Sequence, residues 1–113
     1  MSLEQAVDTA KDFIDRANMC FMPDNLEFLR AGGRVSNVAF LGSRILGIHP
    51  CIEILEGKLV ATKKYRGKMS RVLIDYVKDM EENLKSADNE RVFITHSGCE
   101  QELIDKVYEI LNI

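Results

Sequence analysis

The sequence predicts an α/β fold: a two-layer, mixed β-sheet with helices packed on it. Three observations carry that prediction. Apolar residues recur at three- and four-residue steps over residues 3–19, 69–84 and 101–111, the period of helices with one buried face. Short apolar runs bounded by turn residues stand at 20–22, 49–55, 58–65 and 92–94 and read as strands. The two central runs are separated only by Glu56-Gly57, so they close as a hairpin. After an opening helix the order is β-α-α-β-β-α-β-α, which alternates only in part and fits a sheet of mixed direction.

The 113 residues make one domain, 1–113, long enough to bury about two thirds of its unfolded surface. With 46% hydrophobic and 29% charged residues the composition is that of an ordinary globular chain. A net charge of −3 gives no global reason to expect nucleic acid or an acidic membrane surface. No run approaches the roughly eighteen apolar residues of a membrane span, and no secretory leader is visible. Cys20, Cys51 and Cys99 are odd in number and form no C-x-x-C pair, which argues against a disulfide framework and a zinc site. Reduced thiols in the cytoplasm are the expectation. His49 and His96 lack metal-ligand spacing, so neither metal nor cofactor is called for. Met1-Ser2-Leu3 reads as an expression remnant.

Taken in order, the first helix sets Leu3, Ala6, Val7, Ala10, Phe13, Ile14 and Ala17 on one face and its charges on the other. Cys20-Phe21-Met22 is a strand stopped by Pro23. Asp24 and Glu27 have the spacing of a capping box, and Leu26 and Leu29, with Phe28 beside them, give the short helix that follows a buried side. Gly32 and Gly33 supply the left-handed geometry that closes it. Ser36 caps a further helix over roughly Asn37 to Leu46, with Gly47 beyond its end. Val35, Val38, Ala39, Gly42, Ile45 and Leu46 share one side of that helix, yet Phe40 stands opposite and Leu41 on the flank. A helix so apolar all round is buried on several sides, packs on another domain, or touches an apolar ligand.

Lys58, Lys63, Lys64, Arg66, Lys68 and Arg71 come without an acid among them. They read either as a solvated face or as contacts for a partner or an anionic surface. The helix Met69 to Leu84 presents Met69, Val72, Leu73, Tyr76, Val77 and Met80 on one face. After the strand Val92-Phe93-Ile94, the helix Gln101 to Leu111 buries Leu103, Ile104, Val107, Ile110 and Leu111.

The string Leu26-Glu27-Phe28-Leu29-Arg30-Ala31-Gly32-Gly33-Arg34-Val35-Ser36 resembles the signature of the DegV family. So do Leu41-Gly42-Ser43, Leu46-Gly47-Ile48-His49-Pro50, Glu56-Gly57-Lys58-Leu59-Val60 and Lys64-Tyr65-Arg66-Gly67. Order and spacing match over most of the chain. The resemblance implies the second domain of a two-domain protein, with the first domain and the last segment absent. It also implies a long-chain fatty acid held between the domains, presented to a fatty acid kinase by a protein that is not itself an enzyme. Two departures stand out: His49 replaces a common Lys, and His96-Ser97-Gly98-Cys99 lacks the proline of the family's late motif. His96 is therefore read as a strand-end residue.

An acyl tail of about sixteen carbons gains on the order of 10 kcal/mol gross when buried, so apolar lining should supply most of the affinity. Phe21, Leu29, Val35, Phe40, Leu41, Ile45, Ile48 and Ile52 are the candidates for that lining, each open to the plainer reading of ordinary core. Ser36 is counted with them as a lipid-binding residue, and Arg34 is a candidate for the carboxylate or for an interdomain ion pair. Lys64 and Arg66 are the candidate contacts for the kinase or for a transient membrane surface. The alternatives are a protein-interaction module and a fragment of a kinase-related enzyme. Binding to nucleic acid is not expected, because few aromatics accompany the cations. By itself the piece is expected to self-associate through uncovered apolar surface.

Overall fold

The structure, a computed structural model, describes residues 1–88 and 90–112, with the backbone alone at 37–40 and 43. Its elements are α1 (Leu3–Arg16), β1 (Cys20–Phe21), α2 (Glu27–Ala31), α3 (Asn37–Leu46), β2 (Ile48–Leu55), β3 (Lys58–Arg66), α4 (Met69–Leu84) and α5 (Gln101–Leu111). The α/β class stands. The sheet has the order β1-β2-β3 and both pairings are antiparallel. Glu56 and Gly57 take φ of 50° and 75°, the pair of positive values that a type I′ hairpin turn needs.

Successive residues of β2 point to opposite faces, and each face finds its own cover. Cys51 joins Tyr65 of β3 and Val72 of α4 in one buried cluster, with Cys20, Met22, Met69 and Tyr76 packed around it. Ile52 meets Leu26 on the other face, flanked by Phe21, Leu29 and Val35. The sheet is thus covered on both sides, where the sequence suggested two layers. Thr62 is the extra residue of a β-bulge, since Cys51 pairs Lys63 while Ile52 pairs Ala61. α5 packs on α4, away from the sheet.

Several local expectations change. Residues 92–94 form no strand, and the member that would have made the sheet mixed is missing; Phe93 is 84% exposed. A strand needs a ladder partner, and among the described residues none lies beside this segment. The N–H of Glu27 donates to Asn25 Oδ1 at 3.0 Å, so the Asp24 capping box gives way to a turn one residue later. Gly33 alone carries the left-handed φ, 74°, while Gly32 sits at −80°. Ser2, set aside as a remnant, caps α1: Gln5 N–H donates to its hydroxyl at 3.2 Å, and its own N–H donates to Gln5 Oε1 at 2.8 Å.

The molecule is extended. Its exposed area is 8962 Å², against about 6,300 Å² for a folded monomer of this length. Its radius of gyration is 16.4 Å, against about 13 Å for a compact chain. Every residue of α1 is exposed, including Leu3, Val7, Phe13 and Ile14. The helix is tied back by an ion pair from Arg16 to Asp88 at 3.1 Å. Among the described residues no helix is long and apolar enough to cross a membrane.

One polar anchor joins β3 to α4. The Asp79 carboxylate accepts from Lys63 Nζ and from the Tyr65 hydroxyl. These two donors hold the Asp79 pKa below the usual carboxylate range, Lys63 contributing most. Burial, and then the bond to Asp79, pushes the Tyr65 hydroxyl up. A carboxyl depressed in the folded state stabilises it above the unfolded pKa of about 4, and that contribution is lost as pH falls through the folded value. Urea midpoints are therefore expected to drop on acidification below about pH 4, and Asp79→Asn should flatten this acid limb. Asp79 is partly exposed, so its share is under about 1 kcal/mol. An acid limb that is identical in the variant would show the anchor to be inert.

Candidate functional site

The site is built where α2, α3 and the start of β2 meet. Arg34, after the double glycine, folds its guanidinium back onto the Gly32 carbonyl, Nη1 donating at 2.6 Å. The backbone N–H groups of Arg34 and Val35 return to the Leu29 carbonyl at 2.8 and 3.2 Å. That turn aims Val35 into the cluster around Leu26 and starts α3. Gly47, with φ of 61°, ends α3 and allows β2 to begin at once. Gly67 N–H donates to the Gly47 carbonyl at 3.1 Å. His49 Nε2 donates to the Gly67 carbonyl, also at 3.1 Å, because a carbonyl can only accept. His49 thus closes the base of the hairpin.

The sequence-derived candidates separate into two groups. Phe21, Leu29, Val35 and Ile52 are core, packed with Leu26 on one face of the sheet. Leu41 and Ile45 are not; they are 52% and 80% exposed, one turn apart on α3. Ile45 therefore leaves the core side of the helix to which periodicity assigned it. Ile48 is half-buried between the groups and Ser36 is exposed. The Phe40 side chain lies outside the described residues. Phe28, assigned to the buried side of α2, is 85% exposed. Leu46, at the end of α3, is exposed as well.

Beside this surface lies a cleft of about 390 Å³, lined by Asp24, Asn25, Leu26, Glu27, Arg44 and Gly47, with Ile48 and His49 at the β2 end. The sequence reading missed it. Its charged residues sit 17 to 20 positions apart, and only the reversal of the chain at Gly33 brings them together. Lys64 and Arg66 are exposed on β3, the long edge strand. Lys63, by contrast, is spent on Asp79. His96 is exposed, in the irregular segment before α5.

A hairpin-centred sheet with a double-glycine helix pair on one face and a long helix on the other defines an α/β domain with an open apolar flank. A family description reading "uncharacterised protein, DegV family" matches residues 1–112. The chain belongs to the DegV family. It is 30% identical over 95 residues to a DegV domain-containing protein of Clostridium perfringens, covering 84% of this chain and 33% of that one. Against the DegV domain-containing protein YteA of Lactococcus lactis it is 30% identical over 101 residues, 88% of this chain and 34% of the relative. A DegV domain-containing protein of Caldanaerobacter subterraneus is 34% identical over 80 residues, 69% of this chain and 29% of the relative. The chain spans about a third of the length of the curated relatives it matches.

Proposed function

We propose that this chain is the acyl-tail-binding part of a cytoplasmic DegV-type fatty-acid-binding protein that presents its ligand to a fatty acid kinase and performs no chemistry itself. The observation that carries this reading is the uncovered stripe of Leu41 and Ile45, with Phe28 and Leu46 also exposed on α2 and α3. Apolar contact is the main source of affinity for a hydrocarbon tail, and this surface offers it next to the signature turn. Arg34 has one guanidinium donor engaged at Gly32; the remaining donors suit a carboxylate. Titration with a long-chain fatty acid below its aggregation threshold should shift the NMR amides of Leu41, Gly42, Ile45 and Ile48. Shifts confined to α1, or none, would overturn the reading.

Lys64 and Arg66 support the kinase part, as exposed cations on an open strand edge. Reversing both to Glu is expected to slow transfer to a fatty acid kinase while leaving lipid binding unchanged. Equal loss of both would make the stripe structural. The second reading, a protein-interaction module, draws on the fully exposed apolar face of α1. Sedimentation of the chain over rising concentration tests it through self-association.

A further inference from the structure

The face of the sheet turned away from Leu26 and Ile52 is rich in sulfur: Cys20, Met22, Cys51 and Met69 pack in one cluster there. Cys20 pairs with Glu53 across β1 and β2, two residues from Cys51, so both thiols point to that face. Tyr76 and Met80, one turn apart on α4, both reach Cys20. Its Sγ stands 3.1 Å from the Tyr76 hydroxyl and 3.1 Å from Met80 Sδ. A thioether has no proton to give, so the Cys20 S–H donates to Met80 and the Tyr76 O–H donates to Cys20. All three residues are half-buried, and Cys51 is buried beside them. Cys20 and Met80 are 60 positions apart in the chain, so no spacing in the sequence announces the pair.

A thiol and a thioether in contact make a ligand pair for a soft metal, and charge decides which one. A thiolate and a monovalent cation cancel, and the Met80 thioether adds no charge. Such a neutral complex can sit in an apolar cluster, whereas a divalent ion on the same pair would leave a net charge there, which is costly. Burial pushes the Cys51 thiol up, so this neighbour stays protonated and leaves the balance intact. No three of His, Cys, Asp and Glu come together among the described residues, and zinc takes at least three such ligands from a protein. We propose that Cys20 and Met80 hold one Cu(I) ion between β1 and α4, with the Tyr76 hydroxyl donating to the thiolate sulfur. On binding, the Cys20 S–H bond breaks, its proton passes to solvent and a Cu–S bond forms. The Met80 sulfur, released from the S–H, gives a lone pair to the metal, and no atom changes oxidation state. The site shares no residue with Arg34 or with the stripe at Leu41 and Ile45, so it stands or falls apart from the fatty-acid reading.

The reduced chain, titrated anaerobically with Cu(I) against a chromophoric chelator, is expected to retain one ion, with sulfur as the only bound element in X-ray absorption. Cys20→Ser should abolish retention, and Cys99→Ser, at the exposed thiol, should leave it unchanged. Tyr76→Phe removes the donor behind the thiolate and should weaken binding about tenfold to a hundredfold. Met80→Leu keeps the volume and removes a ligand, so it should cost at least as much. Val72→Ala loosens the same cluster without touching a ligand atom and should keep the ion, which separates ligand loss from loss of folding. Copper retained by Cys20→Ser, or lost on Cys99→Ser, would overturn the site. Retention that needs Cys51 but survives Met80→Leu would replace the thiol–thioether pair by two thiols and overturn it equally. Displacement by an equal concentration of Zn(II) would refute the charge argument, and no retention at all would leave these sulfurs as packing alone.

Discussion

Val72→Asp is expected to leave no cooperatively folded chain. Val72 is 1% exposed and packs between Cys51 and Tyr65, the contact that fixes α4 on the sheet. Losing the buried side chain removes about 1.5–3 kcal/mol, and an unpaired carboxylate in its place costs several kcal/mol more. Folded domains hold about 5–15 kcal/mol in total. This chain, with a small core under a large exposed surface, belongs at the low end. The mechanism is separable from simple loss of volume, because Val72→Ala should cost only about 2 kcal/mol and retain a two-state urea transition at a lower midpoint. A Val72→Asp protein unfolding near the parent midpoint would mean that α4 is not what closes this core.

The same cluster shows why part of the fold was legible in the sequence. α4 has a 3.6-residue period and its partner, the β2–β3 hairpin, lies immediately before it in the chain. Local pattern and tertiary contact agree, and the predicted bounds Met69 to Leu84 are those observed. Glu56-Gly57 likewise specifies its turn by chemistry alone. Val92-Phe93-Ile94 has strand composition but, among the described residues, no neighbour to complete the ladder, and composition cannot supply one. α1 has the period of a buried face, and among the described residues nothing buries it. The strand expected at 92–94 is not formed, and the helix expected at the start of the chain forms without a covering surface among the described residues.

The candidate site divides for a related reason. Phe21, Leu29, Val35 and Ile52 are indistinguishable in composition from Leu41 and Ile45, and only the packing order of α2 and α3 on β2 sorts core from surface. Phe28 could have been placed outside from the sequence. At 100° per residue it lies far around α2 from Leu26, while Leu29 lies on Leu26's side. Arg44 could not, because its relation to Asp24 and Glu27 depends on the reversal at Gly33. The charged cleft therefore emerged only from the folded chain.

The double variant Leu41→Gln with Ile45→Gln follows from that sorting and should have the largest effect on ligand retention. Both side chains are exposed, and Gln is close to Leu and Ile in helix propensity, so stability should move by no more than about 0.5 kcal/mol. If an acyl tail lies along the stripe, each side chain gives up a share of the roughly 1.5–3 kcal/mol that full burial is worth. Half of that from two residues is about 1.5–3 kcal/mol, at least a tenfold loss in affinity. Fatty acid retention measured by organic extraction and mass spectrometry should fall accordingly, with the thermal midpoint unmoved. Substituting Phe21 or Ile52 should instead lower the midpoint first, because those two hold the sheet to Leu26. Retention untouched by the double variant, but lost in step with stability at Phe21 or Ile52, would move any tail from the α3 flank into the core cluster.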